Sequence, residues 1–277
     1  GDDEESAQSS GEDAISSLIA VSMSLIVILA SSITIIYLWK GQDGFVIERP
    51  SSALLSWQME YMELIGANNE SLAELNGEGV VVCVVDSGVD LGHPDLRGVE
   101  LRGWRDSING IEEPYDDEGH GTAMTGIIVS DGGLDGVAKG VDLLVAKAID
   151  DEGLGTDGTV SDSVDWCVEQ GADIISLSLG GSQSFGSDFF TTDELEQSVN
   201  DALDSGVFVV SSAGNDGEDD DGDVGSPGSV EDVICVGGIT RSGSIWSGSS
   251  EGDNDGRLWP NPILPRSDPD KKPEIVG

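Results

Sequence analysis

Basic residues are scarce in this sequence. The 277-residue chain holds 12 Lys and Arg against 54 Asp and Glu, which gives a formal net charge of −42. So negative a surface repels phosphate backbones and argues against nucleic-acid binding by the chain as a whole. Because the acidic residues are spread along the whole sequence, we predict a halophilic protein that stays hydrated in concentrated salt. Ca²⁺ binding by some acidic loops is the alternative.

Cysteine is also rare, with three residues in the chain. An odd and sparse set is not a disulfide framework. Cys83 and Cys235 lie within short apolar runs that are typical of buried strands, and Cys167 lies in a helical pattern beside Trp166. We therefore predict that all three cysteines pack as small hydrophobic residues, with no metal or nucleophilic role.

Charge is absent from residues 14–39, which consist mainly of Ile, Leu, Val, Ala and Ser. Such a helix is long enough to cross a hydrocarbon core of about 30 Å. A cleaved signal peptide would have a basic leading segment and a shorter apolar stretch, whereas residues 1–13 form an acidic tail. We predict a single-pass transmembrane helix at 14–39 and a linker at 40–56. Lys40 is the only nearby basic residue, so the positive-inside rule gives little evidence for the orientation of the helix in the membrane.

Residues 57–277 alternate between helical patterns and short apolar runs. Unbroken apolar runs between helices predict parallel strands that are buried on both faces. The expected fold class is α/β, with a doubly wound parallel sheet whose functional residues lie at the carboxyl ends of the strands. The predicted helices span 57–73, 119–130, 159–170 and 192–204, and the predicted strands span 80–85, 141–149, 173–179, 207–211 and 232–237.

Two loops, 215–223 and 251–255, are densely acidic. Each could chelate Ca²⁺, but neither has the ligand spacing of an EF-hand with a glutamate at the twelfth position. We interpret both as solvated acidic loops. A structural Ca²⁺ stays open but cannot be assigned to particular residues.

Two sequence blocks carry the chemistry. Asp86 follows a strand and opens a tight turn, and the run at 84–96 continues to His93-Pro94-Asp95-Leu96. His120 lies between two glycines at a predicted helix start, where backbone can approach closely and substrate can reach the imidazole. These blocks resemble the aspartate and histidine motifs of the subtilisin-like serine proteases, or subtilases. The resemblance implies a sheet of the subtilisin type, with His120 as general base and Asp86 as its orienting carboxylate.

Two further blocks are similar to the segments that hold substrate in that family. The strand ending at Ser178, Leu179 and Gly180 would pair its backbone with a peptide. Ala213 and Gly214 would form a wall of the pocket for the side chain before the scissile bond. Asn215 would donate its amide to the oxyanion of the tetrahedral intermediate.

The nucleophile of the family has no counterpart here, since no Gly-Thr-Ser-x-x-x-x-Pro motif occurs in the sequence. The run at 272–276 resembles the segment that precedes this motif in subtilases, so we expect that the sequence stops short of the serine. The implied function is a membrane-anchored serine endopeptidase that acts on polypeptides without a catalytic cofactor. Its catalytic domain would be extracytoplasmic, as is usual in the family. The stretch between residue 39 and the helix predicted from 57 is too short for the propeptide domain that many subtilases carry.

Two alternatives stay open. A natural pseudoprotease would bind peptides on the membrane without cutting them. A metal-dependent hydrolase would use Asp86, His120 and His93, although the resemblance gives His93 no catalytic part. Polypeptides and the membrane are the expected partners in the leading interpretation.

Overall fold

Six stretches of chain are described in this computed structural model: residues 21–34, 50–72, 74–180, 194–217, 224–252 and 272–277. The chain divides into one unit at Gly1–Arg49 and a second at Pro50–Gly277. The second unit contains the sheet and every candidate site residue, so it carries the rest of the description.

In the first unit, residues 21–34 form a helix, α1, on which every residue is exposed. They are the described part of the segment predicted to cross a membrane at 14–39. The rest of that segment, the acidic tail at 1–13 and most of the predicted linker lie outside the described residues. Within the described ranges, no helix has both the length and the hydropathy that crossing a membrane requires.

In the described residues, the second unit is built on a seven-stranded sheet in which every neighbouring pair is parallel. The strand order is β2-β3-β1-β4-β5-β6-β7, so β3 lies between β1 and the edge strand β2, and β4 to β7 follow in order on the other side of β1. The strands are β1 Val81–Asp86, β2 Leu101–Asp106, β3 Asp142–Lys147, β4 Ile174–Leu177, β5 Phe208–Ser212, β6 Ile234–Gly237 and β7 Ile275–Val276. The predicted doubly wound parallel sheet is thereby confirmed.

Helices cover both faces of this sheet, as its alternating side chains require. Helix α3 His120–Val129 packs on one face, and α4 Asp157–Glu169 and α5 Glu194–Asp204 pack on the other. Helix α2 Ser52–Leu64 precedes them in the chain and has no buried residue. On β1, Cys83 and Val85 point into a core shared with α4 and α5. Val84 points the other way, into a smaller core that includes Val129 of α3. Since side chains alternate along a strand, Asp86 falls on the same face as Val84 and therefore toward α3.

The sequence patterns did not predict two of the strands, β2 and β7. Strand β2 includes Arg102, Gly103 and Arg105 and is mostly half-buried, because it lies at the edge of the sheet. It therefore lacks the continuous apolar run by which a central strand is recognised. Strand β7 is two residues long and exposed at the opposite edge.

The predicted linker at 40–56 is too long at its C-terminal end. Helix α2 begins at Ser52, because the Ser51 side chain accepts a hydrogen bond from the Leu54 amide and caps the helix. The helix also ends earlier than residue 73, at Leu64, and is followed by turns at Gly66, whose φ is 74°. A serine pair that resembles linker composition is here a helix start.

The prediction that all three cysteines are unbonded is wrong. Cys83 on β1 and Cys167 on α4 form a disulfide, with their Cα atoms 5.9 Å apart. Both residues lie in the core between β1 and α4, where strand alternation and the helix face bring them together. Only Cys235 is a free thiol among the described residues, and burial raises its pKa to about 12. The three cysteines therefore comprise one disulfide and one free thiol.

This disulfide links residues 84 positions apart. Closing a loop of that length restricts the unfolded chain, so reduction should lower the free energy of unfolding by roughly 2–4 kcal/mol. Urea unfolding with and without a reductant measures the loss. In Cys235→Ala, the same reductant-dependent loss should persist, since that thiol is outside the bond. A thiol count in urea should give one reactive cysteine without reductant, and three would contradict the pairing.

Candidate active site

Asp86 is the last residue of β1, and its side chain is 2% exposed. It lies at the carboxyl edge of the sheet, where parallel α/β folds place their functional groups. The Ser87 amide donates a hydrogen bond of 2.7 Å to Asp86 Oδ1. The carboxylate is therefore rigidly held at the end of a buried strand, with little water around it.

His120 is the first residue of α3 and faces this carboxylate. Its Nδ1 lies 2.8 Å from Asp86 Oδ1 and 3.0 Å from Asp86 Oδ2. Because a carboxylate can only accept, this contact places the proton of a neutral imidazole on Nδ1 and leaves the lone pair on Nε2. The His120 side chain is 46% exposed, so the imidazole is anchored on the buried side and accessible on the other.

Burial raises the pKa of Asp86, because the charged form loses hydration in the core. The hydrogen bonds from His120 and from the Ser87 amide act in the opposite direction and partly offset that effect. The carboxylate thus depends on its two donors, and a protonated imidazole gives it a better partner than a neutral one.

A second carboxylate, Asp116, organises the loop that leads into α3. Its Oδ1 accepts hydrogen bonds from Ser87 Oγ at 2.9 Å and from the Gly119 amide at 2.8 Å. Its Oδ2 accepts from the Thr122 amide at 2.8 Å and from Thr122 Oγ1 at 2.5 Å. Ser87 Oγ in turn accepts from the Gly121 amide at 2.8 Å. This network joins the turn after Asp86 to the residues on either side of His120.

Glycine is required where these two segments touch. A Cβ on Gly121 would lie 2.2 Å from the Gly88 carbonyl oxygen. A Cβ on Gly88 would lie 2.1 Å from the Tyr115 carbonyl oxygen, and Gly88 has a φ of 121°. Both distances are far below van der Waals contact, so the closeness of Asp86 to His120 depends on these glycines.

The residues predicted to hold substrate lie beyond the ends of β4 and β5. Ser178, Ala213, Gly214 and Asn215 line a cavity of about 710 Å³. Met124, Ile127 and Ile128 of α3 also line this cavity. Met124 lies one helical turn after His120. Asn215 is exposed and its side-chain amide has no hydrogen-bond partner among the described residues.

Leu179 and Gly180, the other two residues of the predicted strand edge, lie outside the lining of this cavity. Leu179 packs on the core next to α4 and α5, and its carbonyl oxygen accepts a hydrogen bond from Ser212 Oγ at 3.4 Å. A Cβ on Gly180 would face the Ser226 carbonyl oxygen at 3.6 Å. Both residues are therefore set beside the strand ends rather than in the cavity wall.

The contacts of His93 differ from those of His120. His93 caps a short 3-10 turn at Pro94–Leu96, and its Nδ1 accepts a hydrogen bond from the Asp95 amide at 3.2 Å. Within the described ranges, no group of three or more His, Cys, Asp or Glu side chains could hold a metal ion. Most of the acidic loop at 215–223 and residues 253–255 of the other loop lie outside those ranges.

Sequence reasoning did not give Ser87 or Asp116 a role. Asp116 lies four residues before His120, and Ser87 belongs to the turn that Asp86 opens. Their importance arises from side-chain contacts across 29 and 34 positions of sequence. The available signal is a polar residue next to each motif residue or within its loop: Ser87 directly follows Asp86, and Asp116 precedes His120 by four positions.

The site is thus a buried carboxylate that holds an imidazole at the carboxyl edge of a doubly wound parallel sheet. A profile of the subtilase family matches residues 77–266, more than half of the chain. The chain belongs to the subtilase family, whose members are subtilisin-like serine proteases.

Several proteins of that family are similar to this chain in sequence and structure. The serine protease AprX of Bacillus subtilis is 37% identical over 177 residues, covering 60% of this chain and 39% of AprX. The intracellular serine protease of Paenibacillus polymyxa is 36% identical over 187 residues, covering 64% and 55%. A crystal structure of a cold-adapted subtilisin-like serine proteinase superposes with a TM-score of 0.56 at 31% identity, covering 65% and 62%. The chain thus spans less than two thirds of each of these proteins.

The Asp116 network should stabilise the fold in a pH-dependent manner. Burial alone would raise the pKa of Asp116, but the hydrogen bonds from Thr122, Gly119 and Ser87 outweigh it and the pKa is lowered below 3.8. A lowered pKa means that the stabilisation is present above pH 3.8 and is lost as pH falls through the folded pKa.

Asp116→Asn should therefore lower the free energy of unfolding by about 1–3 kcal/mol at pH 7, because an amide cannot accept on both sides. The difference from the native chain should narrow below pH 3.8, where the carboxyl is protonated in the unfolded chain. Urea unfolding at several pH values measures both effects. Asp165→Asn, on the exposed side of α4, is the matched control and should change little. A difference that persists undiminished in acid would contradict the charge-based account.

Proposed function

We propose that this chain forms the greater part of the active site of a membrane-anchored serine endopeptidase, which hydrolyses peptide bonds through an Asp-His-Ser triad. The observation that carries the proposal is the hydrogen bond between the buried Asp86 carboxylate and His120 Nδ1, at 2.8 Å. Membership of the subtilase family supports the reaction class. The chain supplies the aspartate and the histidine, and the serine lies outside the sequence.

In the proposed mechanism, His120 Nε2 takes the proton of the serine hydroxyl as its oxygen attacks the peptide carbonyl carbon. Asp86 keeps the imidazole in the tautomer that leaves Nε2 free, and it stabilises the imidazolium as it forms. His120 then gives the proton to the leaving amine, and water repeats the sequence to release the acyl group. Polypeptides are the substrates in this proposal, and no metal or cofactor takes part in a step.

Asn215 is proposed as the oxyanion donor. Its exposed amide lies on the wall of the cavity that follows β5, where it could meet a carbonyl oxygen that becomes negative. Ser178, Leu179 and Gly180 would pair with the backbone of an extended substrate, as strand ends beside a cleft do in other peptide-binding proteins. Ala213 and Gly214 would contact the side chain before the scissile bond.

The nucleophile is proposed to arrive on a segment that fits the cavity between α3 and the ends of β4 to β6. That cavity is lined by apolar groups of α3 and by strand residues such as Val210 and Val236. A parallel sheet is ordinarily covered on both faces, so an additional apolar segment would complete the packing here. The same segment could bring a hydroxyl to the exposed side of His120.

We also propose that residues 14–39 anchor the protein in a membrane and that the catalytic domain lies outside the cytoplasm. The 26-residue uncharged stretch supports the anchor. The Cys83–Cys167 disulfide supports the location, since such bonds persist in oxidising compartments. Intact cells that carry the complete protein should react with a fluorophosphonate that cannot cross membranes. Labelling only after lysis would contradict the location.

The proposed chemistry is tested by covalent labelling with a fluorophosphonate, which reacts with an activated serine. The complete protein should be labelled, and the 277-residue chain alone should remain at background because no nucleophile is present. His120→Ala in the complete protein should slow labelling by at least about 10³-fold, since the general base is lost. His93→Ala replaces the other histidine of the chain and should label at the native rate.

Undiminished labelling of His120→Ala would contradict the assignment of the base. A complete protein that binds peptides but is never labelled would instead be the pseudoprotease. A native protein that is never labelled, that hydrolyses peptides with a bound metal, and that loses this hydrolysis in both His93→Ala and His120→Ala would support the metal-dependent alternative.

A further inference from the structure

Lys147 is the last residue of β3, and it is fully buried at 0% exposure. Lysine is almost never fully buried unless its charge is paired. In the register of the sheet, Lys147 lies directly beside Asp86, at the carboxyl ends of neighbouring strands. Val145, two residues earlier on β3, points into the core that includes α3, so Lys147 points toward the same side of the sheet as the Asp86–His120 pair.

The ammonium group of Lys147 uses each of its three donors. Nζ donates to the Ser87 carbonyl oxygen at 2.6 Å, to the Ile149 carbonyl oxygen at 2.8 Å and to Asp117 Oδ1 at 2.6 Å. It also lies 5.0 Å from the centre of the Tyr115 ring, within the range of a cation–π contact. A lysine has three donors and no acceptor, so its hydrogen-bonding capacity is fully used.

These three acceptors belong to three different pieces of chain. Ser87 is the residue after Asp86, Ile149 follows the end of β3, and Asp117 lies in the loop that ends at His120. Lys147 therefore ties the exit of β1 to the segment that delivers His120. The Asp116 network makes the same connection through side chains of its own, so the two segments are joined by two separate sets of bonds.

The other buried lysine of the described ranges, Lys272, lies beside a different part of the sheet. Lys272 Nζ contacts Glu274 at 2.7 Å and the Val233 carbonyl oxygen at 2.6 Å, next to β6 and β7. Lys139 is exposed and pairs with Asp131 and Asp135, after the end of α3. Among these three lysines, only Lys147 contacts residues adjacent to Asp86 and His120.

We propose that Lys147 is a positioning residue for the Asp86–His120 pair. This inference rests on the proposed function, in which that pair is catalytic. Lys147 touches neither Asp86 nor the imidazole, and acts through the Ser87 carbonyl and the Asp117 carboxylate. It holds the two segments at the separation that lets His120 Nδ1 donate to Asp86.

Removing the ammonium would leave two carbonyl groups without a donor and Asp117 without its counter-charge. Buried carbonyl groups seek other partners, so the turn at Ser87 and the loop at Asp117 would both shift. A purely structural lysine would lower stability and leave the imidazole in place. A positioning lysine changes the imidazole hydrogen bond even in protein that remains folded, and this difference allows a direct test.

The test is NMR spectroscopy of the 277-residue chain with ¹⁵N-labelled histidine, since the chain has two histidines. The Nδ1 proton of His120 should give a downfield signal that exchanges slowly with water. In Lys147→Met, which keeps the aliphatic length, exchange of this proton should be at least about 10-fold faster because the pair opens more often. The signals of His93, which lies in a separate turn, should stay as in the native chain.

Lys139→Met is the matched control. It removes an ammonium group with two carboxylate partners elsewhere, and it should leave the His120 signal unchanged. Asp86→Asn gives the exchange rate expected when the Asp86–His120 hydrogen bond is lost, because an amide is a weaker acceptor than a carboxylate. Asp117→Asn provides a second, milder variant, since the Asp117 side chain is 40% exposed, and it should also speed exchange, by less than Lys147→Met.

Native exchange in a folded Lys147→Met chain would overturn the proposal. If Lys147→Met does not fold, Asp117→Asn decides, and native exchange in that variant would overturn the proposal equally. The result is independent of the serine chemistry. Faster exchange in Lys147→Met together with an unlabelled complete protein would support the positioning role and refute the endopeptidase. Native exchange in Lys147→Met together with a labelled complete protein would refute only the role of Lys147.

Discussion

The site depends on one carboxylate that is buried at the end of a strand. Asp86 lies where β1 leaves the core, and its charge loses most of its hydration there. A charge in that position is stable only with donors at close range. One donor is the neighbouring amide of Ser87 and the other is His120 Nδ1. The need of Asp86 for a donor is thus what gives the imidazole its orientation.

The remaining structure brings that donor into reach. Parallel strands end at one edge of the sheet, so residues that are far apart in sequence meet there: Asp86 after β1, Lys147 after β3, Ser178 after β4 and Asn215 after β5. The glycines at 88 and 121 allow the backbones to touch, and the Asp116 and Lys147 contacts hold the touching segments together. A short set of interactions therefore connects sheet topology to the geometry of the Asp86–His120 pair.

The central strands and the two chemical motifs could be read from the sequence for a physical reason. Central parallel strands are buried on both faces, so β1 and β3 leave continuous apolar runs. Edge strands carry no such requirement, and β2, with its two arginines, was missed. The Cys83–Cys167 disulfide was missed because it depends on which face of β1 meets α4, a tertiary fact that a count of cysteines cannot contain. The supporting roles of Ser87, Asp116 and Lys147 are also tertiary, although a lysine at the end of an apolar strand was a visible irregularity.

The central proposal is that His120, held by Asp86, and Asn215 act on one reacting carbonyl group, His120 through the serine and Asn215 on the oxyanion. The most direct measurement is a crystal structure of the complete protein after reaction with a peptidyl phosphonate, whose phosphoryl oxygen imitates the oxyanion. The account predicts Asn215 Nδ2 at ~2.7–3.1 Å from that oxygen, and His120 Nε2 at ~2.6–3.2 Å from the oxygen of the attacked serine. An adduct whose phosphoryl oxygen points to solvent, or a His120 ring turned away from both Asp86 and the serine, would contradict it.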